Sequence, residues 1–124
     1  MATGKQVGEF SLKSTSLTLT PGPGGSVLIQ GNFEGTSAAF GTILRTATFV
    51  SVASKSGTYS VCAAAHLDNG DTLTGNGQGT FESIGRQKWR LQELIDISDG
   101  RRFDVESEID LASRSWTGKI FERS

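Results

Sequence analysis

A chain of 124 residues is long enough to form one domain around a single core, and we expect residues 1–124 to form one domain. Its net charge of −1 argues against nucleic acid or an anionic membrane as main partner, because both select a concentrated basic surface. The sequence has no apolar run of about 18 residues, which excludes a spanning helix. The single cysteine cannot form an internal disulfide, and the opening MATGKQVGEF lacks a signal-peptide core, so we expect a cytoplasmic protein.

The chain reads as short β-strands in succession, with no helical periodicity of useful length. Turn signals separate most of them: PGPGG, SKSG, DNG, IGR, SDGR and SRS. The predicted strands are 7–13, 15–20, 26–34, 37–51, 58–67, 71–83, 88–98, 103–112 and 115–122. Short strands joined by short turns predict an all-β fold, a single antiparallel meander closed into a small eight-stranded barrel. We expect residues 1–6 and 21–25 to be mobile.

Charge is unevenly distributed along these strands. Between Gly25 and Leu67 the charged residues are Glu34, Arg45 and Lys55, whereas charges recur every two or three residues from Glu82 onward. Strands with few charges are usually covered on both faces. This pattern predicts a homo-oligomer that associates through strands 37–51 and 58–67, with burial inside one chain as the alternative.

The hairpin registers decide which side chains face the barrel interior, because a slip of one residue reverses every side chain. Asn69-Gly70 is a strong two-residue turn signal. That turn pairs Cys62 with Gly77 and places His66 on the same inner face. Three-residue loops are predicted at 84–86 and 99–101 for the next two hairpins. The inner face then also carries Phe81, Trp89, Glu93 and Ser107, with Gly77 beside Glu93 and Glu93 opposite Ser107.

The segment TGNGQGTF places Gly75, Gly77 and Gly79 on one face of a strand. Glycines at these positions predict a trough floored by backbone, with aromatic side chains at one end and His66 at the other. The alternative is structural, because glycine in a strand also allows a barrel to coil or seats a bulge.

Glu93 is the candidate catalytic residue, because a carboxylate in an inward apolar row needs a partner or a proton. It would act as a general acid or base, or anchor a polar ligand group. The structural alternative is an ion pair or hydrogen bond to Arg45 or Ser107; the pattern around Arg45 leaves its direction open. The candidate ligand-binding residues are Trp89, Phe81, His66, Cys62, Gly77, Ser107 and Arg45.

Cys62 and His66 do not form a predicted metal site or nucleophile pair. Strand residues four apart are separated by about 13 Å, too far for one zinc ion or a direct proton relay. We therefore expect no metal and no cofactor, with Cys62 as a small core residue and His66 at a rim.

The segment SGTYSVCAAAHLDNGDTLTGNGQGTFESIGRQKWRLQELI combines a G-x-Y strand, a long hairpin, a glycine-rich stretch and an alternating strand. Over roughly residues 57–95 it resembles the calycin-like barrels of the allene oxide cyclase family and related small bacterial proteins. The resemblance implies an eight-stranded barrel with an apolar cavity, often in oligomers. In the plant enzymes that cavity holds an unstable fatty-acid epoxide and directs its ring closure. No ligand-contacting residue of that family is carried over, and its substrate is not predicted here.

The sequence is compatible with three functions. The first is a cofactor-free isomerase or cyclase that positions an apolar small molecule in a dry cavity. The second is a non-catalytic barrel that binds or carries a small hydrophobic ligand. The third is a structural assembly module with a filled interior.

Overall fold

The computed structural model describes residues 4–50 and 55–123, which form a closed barrel of eight antiparallel strands. The strands are β1 (Gln6–Pro21), β2 (Val27–Ser37), β3 (Gly41–Val50), β4 (Ser56–His66), β5 (Thr72–Gly85), β6 (Lys88–Ile97), β7 (Arg102–Asp110) and β8 (Ser115–Glu122). Each strand pairs with its neighbours in the chain, and β8 returns to pair with β1. The predicted all-β meander barrel is confirmed. Within the described residues, no helix is both long and apolar enough to cross a membrane.

Two predicted strand boundaries were wrong. The segments 7–13 and 15–20 are one strand, β1, whose pairing with β2 shifts at a bulge between Ser14 and Ser16. The segment 37–51 was predicted as a single strand, but residues 38–40 form a turn in which the Phe40 N–H donates to Ser37 Oγ. Strand β3 therefore begins at Gly41, and the predicted end at 51 lies outside the described residues. Pro23–Gly25 form a short 3₁₀ turn between β1 and β2.

The hairpins β4–β5 and β6–β7 turn through three residues each, 68–70 and 98–100. The Leu67 N–H donates to Asp71 O at 2.9 Å, and the Ile97 N–H donates to Arg101 O at 2.9 Å. The last loop residue is a left-handed glycine in both, with φ of 97° at Gly70 and 95° at Gly100. This is the three-residue hairpin in which a left-handed residue forms a bulge. The left-handed requirement at the last position explains why both loops end on glycine.

The three-residue β4–β5 loop overturns the predicted direction of two side chains. It pairs Cys62 with Asn76 and His66 with Thr72, one residue away from the register of a two-residue turn. One residue reverses the faces. Cys62 and His66 therefore lie on the outer surface, and Tyr59 and Val61 face the interior.

The registers of the next two hairpins differ from those predicted by two residues, which leaves the faces unchanged. Glu93 pairs with Gly79 and Val105, not with Gly77 and Ser107. The β5–β6 turn uses two residues, 86 and 87, and a bulge follows Ser83. The loop at 98–100 also brings Asp96 opposite Arg102, with an Arg102 Nε to Asp96 Oδ1 distance of 3.4 Å. Opposite charges directly across two strands form a favourable pair.

The barrel interior has two different halves. One half, here called the aromatic half, is packed with six rings whose centroids lie 4.6–6.1 Å from their neighbours: Phe33, Phe49, Tyr59, Phe81, Trp89 and Trp116. The other half, here called the cavity end, lies toward the β2–β3, β4–β5 and β6–β7 turns and is lined mainly by aliphatic residues and phenylalanine. Arg45 and Glu93 lie between the two halves, midway along β3 and β6.

The glycines of β5 allow neighbouring groups to approach its inner face. A Cβ at Gly79 would lie 2.1 Å from Gln92 O and 2.9 Å from the Tyr59 ring, and a Cβ at Gly77 would lie 3.0 Å from Val61 Cγ1. The β5–β6 register shift lies between Ser83 and Gly85, away from these glycines. Gly77 and Gly79 are therefore explained by the close approach of neighbouring side chains and of the β6 backbone, a structural use different from the coiling or bulge considered above.

We expect Gly79→Ala to destabilise the barrel by about 1–3 kcal/mol or more, because the new methyl group overlaps a backbone oxygen that cannot rotate away. Gly85→Ala on the same strand is the control: no atom lies within 4 Å of its Cβ position, and we expect a change within about 0.5 kcal/mol. Urea unfolding followed by tryptophan fluorescence measures both. Equal stability of the two variants would contradict the close approach.

Candidate functional site

The structure brings five of the eight predicted site residues together in the interior. These are Arg45, Phe81, Trp89, Glu93 and Ser107, all buried. Gly77 also faces inward but is covered by Val61 and Ile95. Cys62 and His66 are exposed on the outer face, and His66 Nδ1 lies 3.1 Å from Thr72 Oγ1. The predicted inward direction of those two residues was wrong.

A buried ion pair stands at the centre of the barrel. Arg45 Nη2 donates to Glu93 Oε2, and the two side chains are 4 % and 0 % exposed. The Tyr59 hydroxyl donates to the other carboxylate oxygen, Glu93 Oε1, at 3.0 Å. Both oxygens of Glu93 thus have partners, which a buried carboxylate requires. Glu93 and Arg45 form the ion pair given above as the structural alternative, and Arg45 points inward.

The Arg45 guanidinium is also held between aromatic rings. Its Cζ lies 4.6 Å from the Trp116 ring centroid and 5.3 Å from that of Phe10. Trp116 is fully buried and its Nε1–H donates to Ser107 Oγ at 2.9 Å. Ser107 therefore orients Trp116 and does not pair with Glu93. Cation–π contacts of this kind are favourable where water is excluded, so the rings fix the plane of the guanidinium.

Beside the ion pair, a cavity of about 70 Å³ lies at the cavity end of the barrel. Its inward-facing walls come from every strand except β2, and they include Phe10, Ile43, Ala63, Ala65, Leu73, Gly75, Ile95, Ile97, Phe103, Val105 and Ile120. Among the inward-facing side chains that line it, Arg45 carries the charge. The cavity is far smaller than the 300–1,000 Å³ typical of pockets for drug-sized ligands, so an occupant must be small.

Arg45 lines this cavity and has one unused donor. Its Nη1 is buried and has no hydrogen-bond partner, although Nη2 is bound to Glu93. A buried donor without a partner costs about 1–3 kcal/mol, so such groups in folded proteins usually have a reason. The cavity is thus apolar apart from Arg45, whose Nη1 has no partner among the described residues.

The expected trough over the glycines is not the cavity that the structure contains. Of the three glycines, Gly75 lines the cavity, whereas Tyr59 and Val61 cover the other two. Trp89 and Phe81 stack with centroids 4.6 Å apart in the aromatic half, away from the cavity walls. The prediction that all three glycines form the floor of a trough was wrong. The predicted inward direction of both aromatic residues is confirmed.

A larger depression of about 720 Å³ lies on the outside of β3–β7. Outward side chains such as Thr48, Ser60 and Gln78 line it, together with Asp104. It is an open, concave part of the outer sheet surface. The apolar cavity is the stronger candidate site because its lining is almost entirely apolar and it lies beside an arginine with an unpaired donor.

Tyr59 is the hydrogen-bond partner of Glu93 that the sequence prediction missed. It is the only tyrosine of the chain, and it alternates with Val61, Ala63 and Ala65 along β4. A loop at 68–70 would have placed this row inside. The sequence signal for this register was Gly70, the last residue of the DNG turn. A left-handed glycine at the bulge position of a three-residue loop would have predicted the observed register.

We expect Glu93→Gln to lower the free energy of unfolding by about 3–5 kcal/mol, because it leaves Arg45 as a buried charge without a counter-ion. Glu82→Gln is the matched control, since Glu82 Oε1 lies 3.9 Å from Arg90 Nη1 and both side chains are more than half exposed. That change should have little effect. Thermal and urea unfolding compare the two, and similar losses would contradict a structural role for the ion pair.

Burial, followed by the adjacent Glu93 carboxylate, raises the pKa of Tyr59 well above its ordinary value of 10.0. Folded protein therefore keeps the phenol neutral at a pH where unfolded chain ionises. The contribution of Tyr59 to the free energy of unfolding is therefore fully present below pH 10. Above pH 10 this contribution decreases by at most about 1.4 kcal/mol per pH unit. Absorbance near 295 nm, which reports on Tyr59 alone, should appear only with unfolding, and Tyr59→Phe should lose this part of the pH dependence. Tyrosinate in native protein at pH 11 would contradict the burial.

Within the described residues, no cluster of three or more histidine, cysteine, aspartate or glutamate side chains could hold a metal ion. Comparison of the chain with protein-family models, curated proteins and solved structures finds no match. The resemblance to allene oxide cyclase-like barrels therefore stays a prediction.

Proposed function

We propose that the protein is a small-molecule-binding barrel that holds a largely apolar ligand in the cavity beside Arg45. The observation that carries the proposal is a buried guanidinium nitrogen, Arg45 Nη1, without a partner at an otherwise apolar cavity. An interior that served only to stabilise the fold would gain by filling this space, since voids and unpaired donors both cost free energy. The aromatic half shows that this sequence can pack an interior densely.

The size of the cavity limits the ligand and its affinity. About 70 Å³ is the space of roughly two water molecules, at ~30 Å³ each, or of a molecule with about four non-hydrogen atoms. The ceiling for very small ligands is about −1.5 kcal/mol per atom, so the dissociation constant can be no tighter than about 40 μM. Because binding this weak needs a high ligand concentration, the limit favours an abundant ligand and argues against storage of a scarce one.

A cofactor-free isomerase or cyclase is the second candidate, favoured by the same nitrogen. A fixed donor beside an apolar cavity stabilises negative charge that develops on a substrate oxygen. In this form of the proposal Arg45 contacts the substrate. Glu93 does not line the cavity; it positions Arg45 and compensates its charge.

Assembly of copies through the predicted strands 37–51 and 58–67 also stays a proposal, supported by exposed Leu44 and Val50 on β3.

We expect isobutene, an apolar probe of four carbon atoms, to bind in the cavity and shift the methyl resonances of Ile43, Ile95 and Ile120 in carbon–proton NMR spectra. Ala65→Leu adds side-chain volume on the inner face and should abolish the shifts, provided that the variant gives a folded spectrum. Cys62→Leu adds side-chain volume on the outer face of β4, at a residue that does not line the cavity, and should leave binding unchanged. The absence of a response from these methyls both to saturating isobutene and to saturating oxygen-containing probes of the same size would overturn the proposal.

A further inference from the structure

We infer that the ligand is a neutral molecule with one hydrogen-bond-accepting oxygen, such as a small ketone, aldehyde or ester, and that this oxygen accepts from Arg45 Nη1. The inference rests on the proposed function, because it concerns the occupant of the same cavity. It adds the chemical class of the ligand, which cavity size alone does not give.

The charge around Arg45 argues against an anionic ligand. Although Arg45 is a cation, Glu93 compensates its charge directly and is itself fully buried. A carboxylate ligand would therefore add a net charge to a region lined by aliphatic and aromatic side chains, which is costly. Arg101, at the cavity end over the rings of Phe40 and Phe103, is likewise paired, with Nε 2.8 Å from Asp99 Oδ2.

The hydrogen-bonding capacity of the cavity argues against a purely hydrocarbon ligand and against water. A hydrocarbon would leave Nη1 unpaired, as it is without a ligand. A buried water needs two to four polar partners, but the inward-facing side chains here are apolar apart from Arg45, and the strand backbones are paired in the barrel. A carbonyl oxygen is satisfied by one strong donor, and its methyl groups can contact Ile43, Ile95 and Val105.

The aromatic rings around Arg45 give this recognition its direction. Trp116 and Phe10 hold the guanidinium plane, Glu93 occupies Nη2, and Ser107 fixes Trp116. Nη1 thus has little freedom to turn toward another acceptor. A donor fixed in this way loses little conformational entropy when it binds an oxygen.

The test compares three planar probes of four non-hydrogen atoms each, acetone, isobutene and acetate, on the unmodified protein. Substitution of Arg45 is avoided because it would leave Glu93 buried without its cation. In each titration, the shifts of the cavity methyl resonances give the dissociation constant of the probe. The side-chain nitrogen and proton resonances of Arg45 report whether the probe accepts a hydrogen bond. Ala65→Leu is the control that must abolish both responses.

We expect acetone to bind with a dissociation constant no higher than that of isobutene, although water solvates acetone far better, and to shift the Arg45 Nη1 resonances. We expect acetate to bind at least tenfold more weakly than acetone. A higher dissociation constant for acetone than for isobutene, unchanged Arg45 resonances, or acetate binding within tenfold of acetone would each overturn the inference while leaving the cavity proposal intact. Failure of all three probes would overturn the proposed function itself.

Discussion

The ion pair of Arg45 and Glu93 is the constraint around which the barrel interior is organised. Two charges without access to water are stable only with close contact and full hydrogen bonding. Tyr59 satisfies the second carboxylate oxygen, which requires that β4 presents its odd-numbered residues inward and that Gly79 leaves room for the ring. Trp116 covers the guanidinium and is held by Ser107 on β7. Side chains from five strands thus depend on one pair of charges.

This arrangement separates two regions with different physical roles. Rings in mutual contact fill the aromatic half, where a substitution of any ring would leave a void. At the cavity end the inward residues are smaller, with Ala63, Ala65 and Gly75 along two adjacent strands. The small residues leave the space, and Arg45 supplies polarity at its inner end. A rigid half that positions a donor for an open half is the arrangement that a binding site for a small molecule needs.

The sequence predicted the fold and the direction of most interior residues because alternation along β6 and β7 is unambiguous. A register error of two residues left Trp89, Glu93 and Ser107 on the correct face, since the side-chain period is two. On β4 the same alternation is weak, because Ser, Cys and Ala alternate with Val and Ala. There a loop one residue longer than predicted reversed Cys62 and His66. The cavity itself was not predictable, because it depends on side-chain volumes from seven strands.

The cavity also has a mechanical consequence for the barrel. A void of about 70 Å³ per molecule corresponds to about 40 mL/mol, comparable to the entire volume decrease that often accompanies unfolding. Since the void disappears when the chain unfolds, hydrostatic pressure acts selectively against the empty barrel. An occupant that fills the space removes most of this compressible volume. We therefore expect the folded state with ligand to tolerate compression better than the empty state.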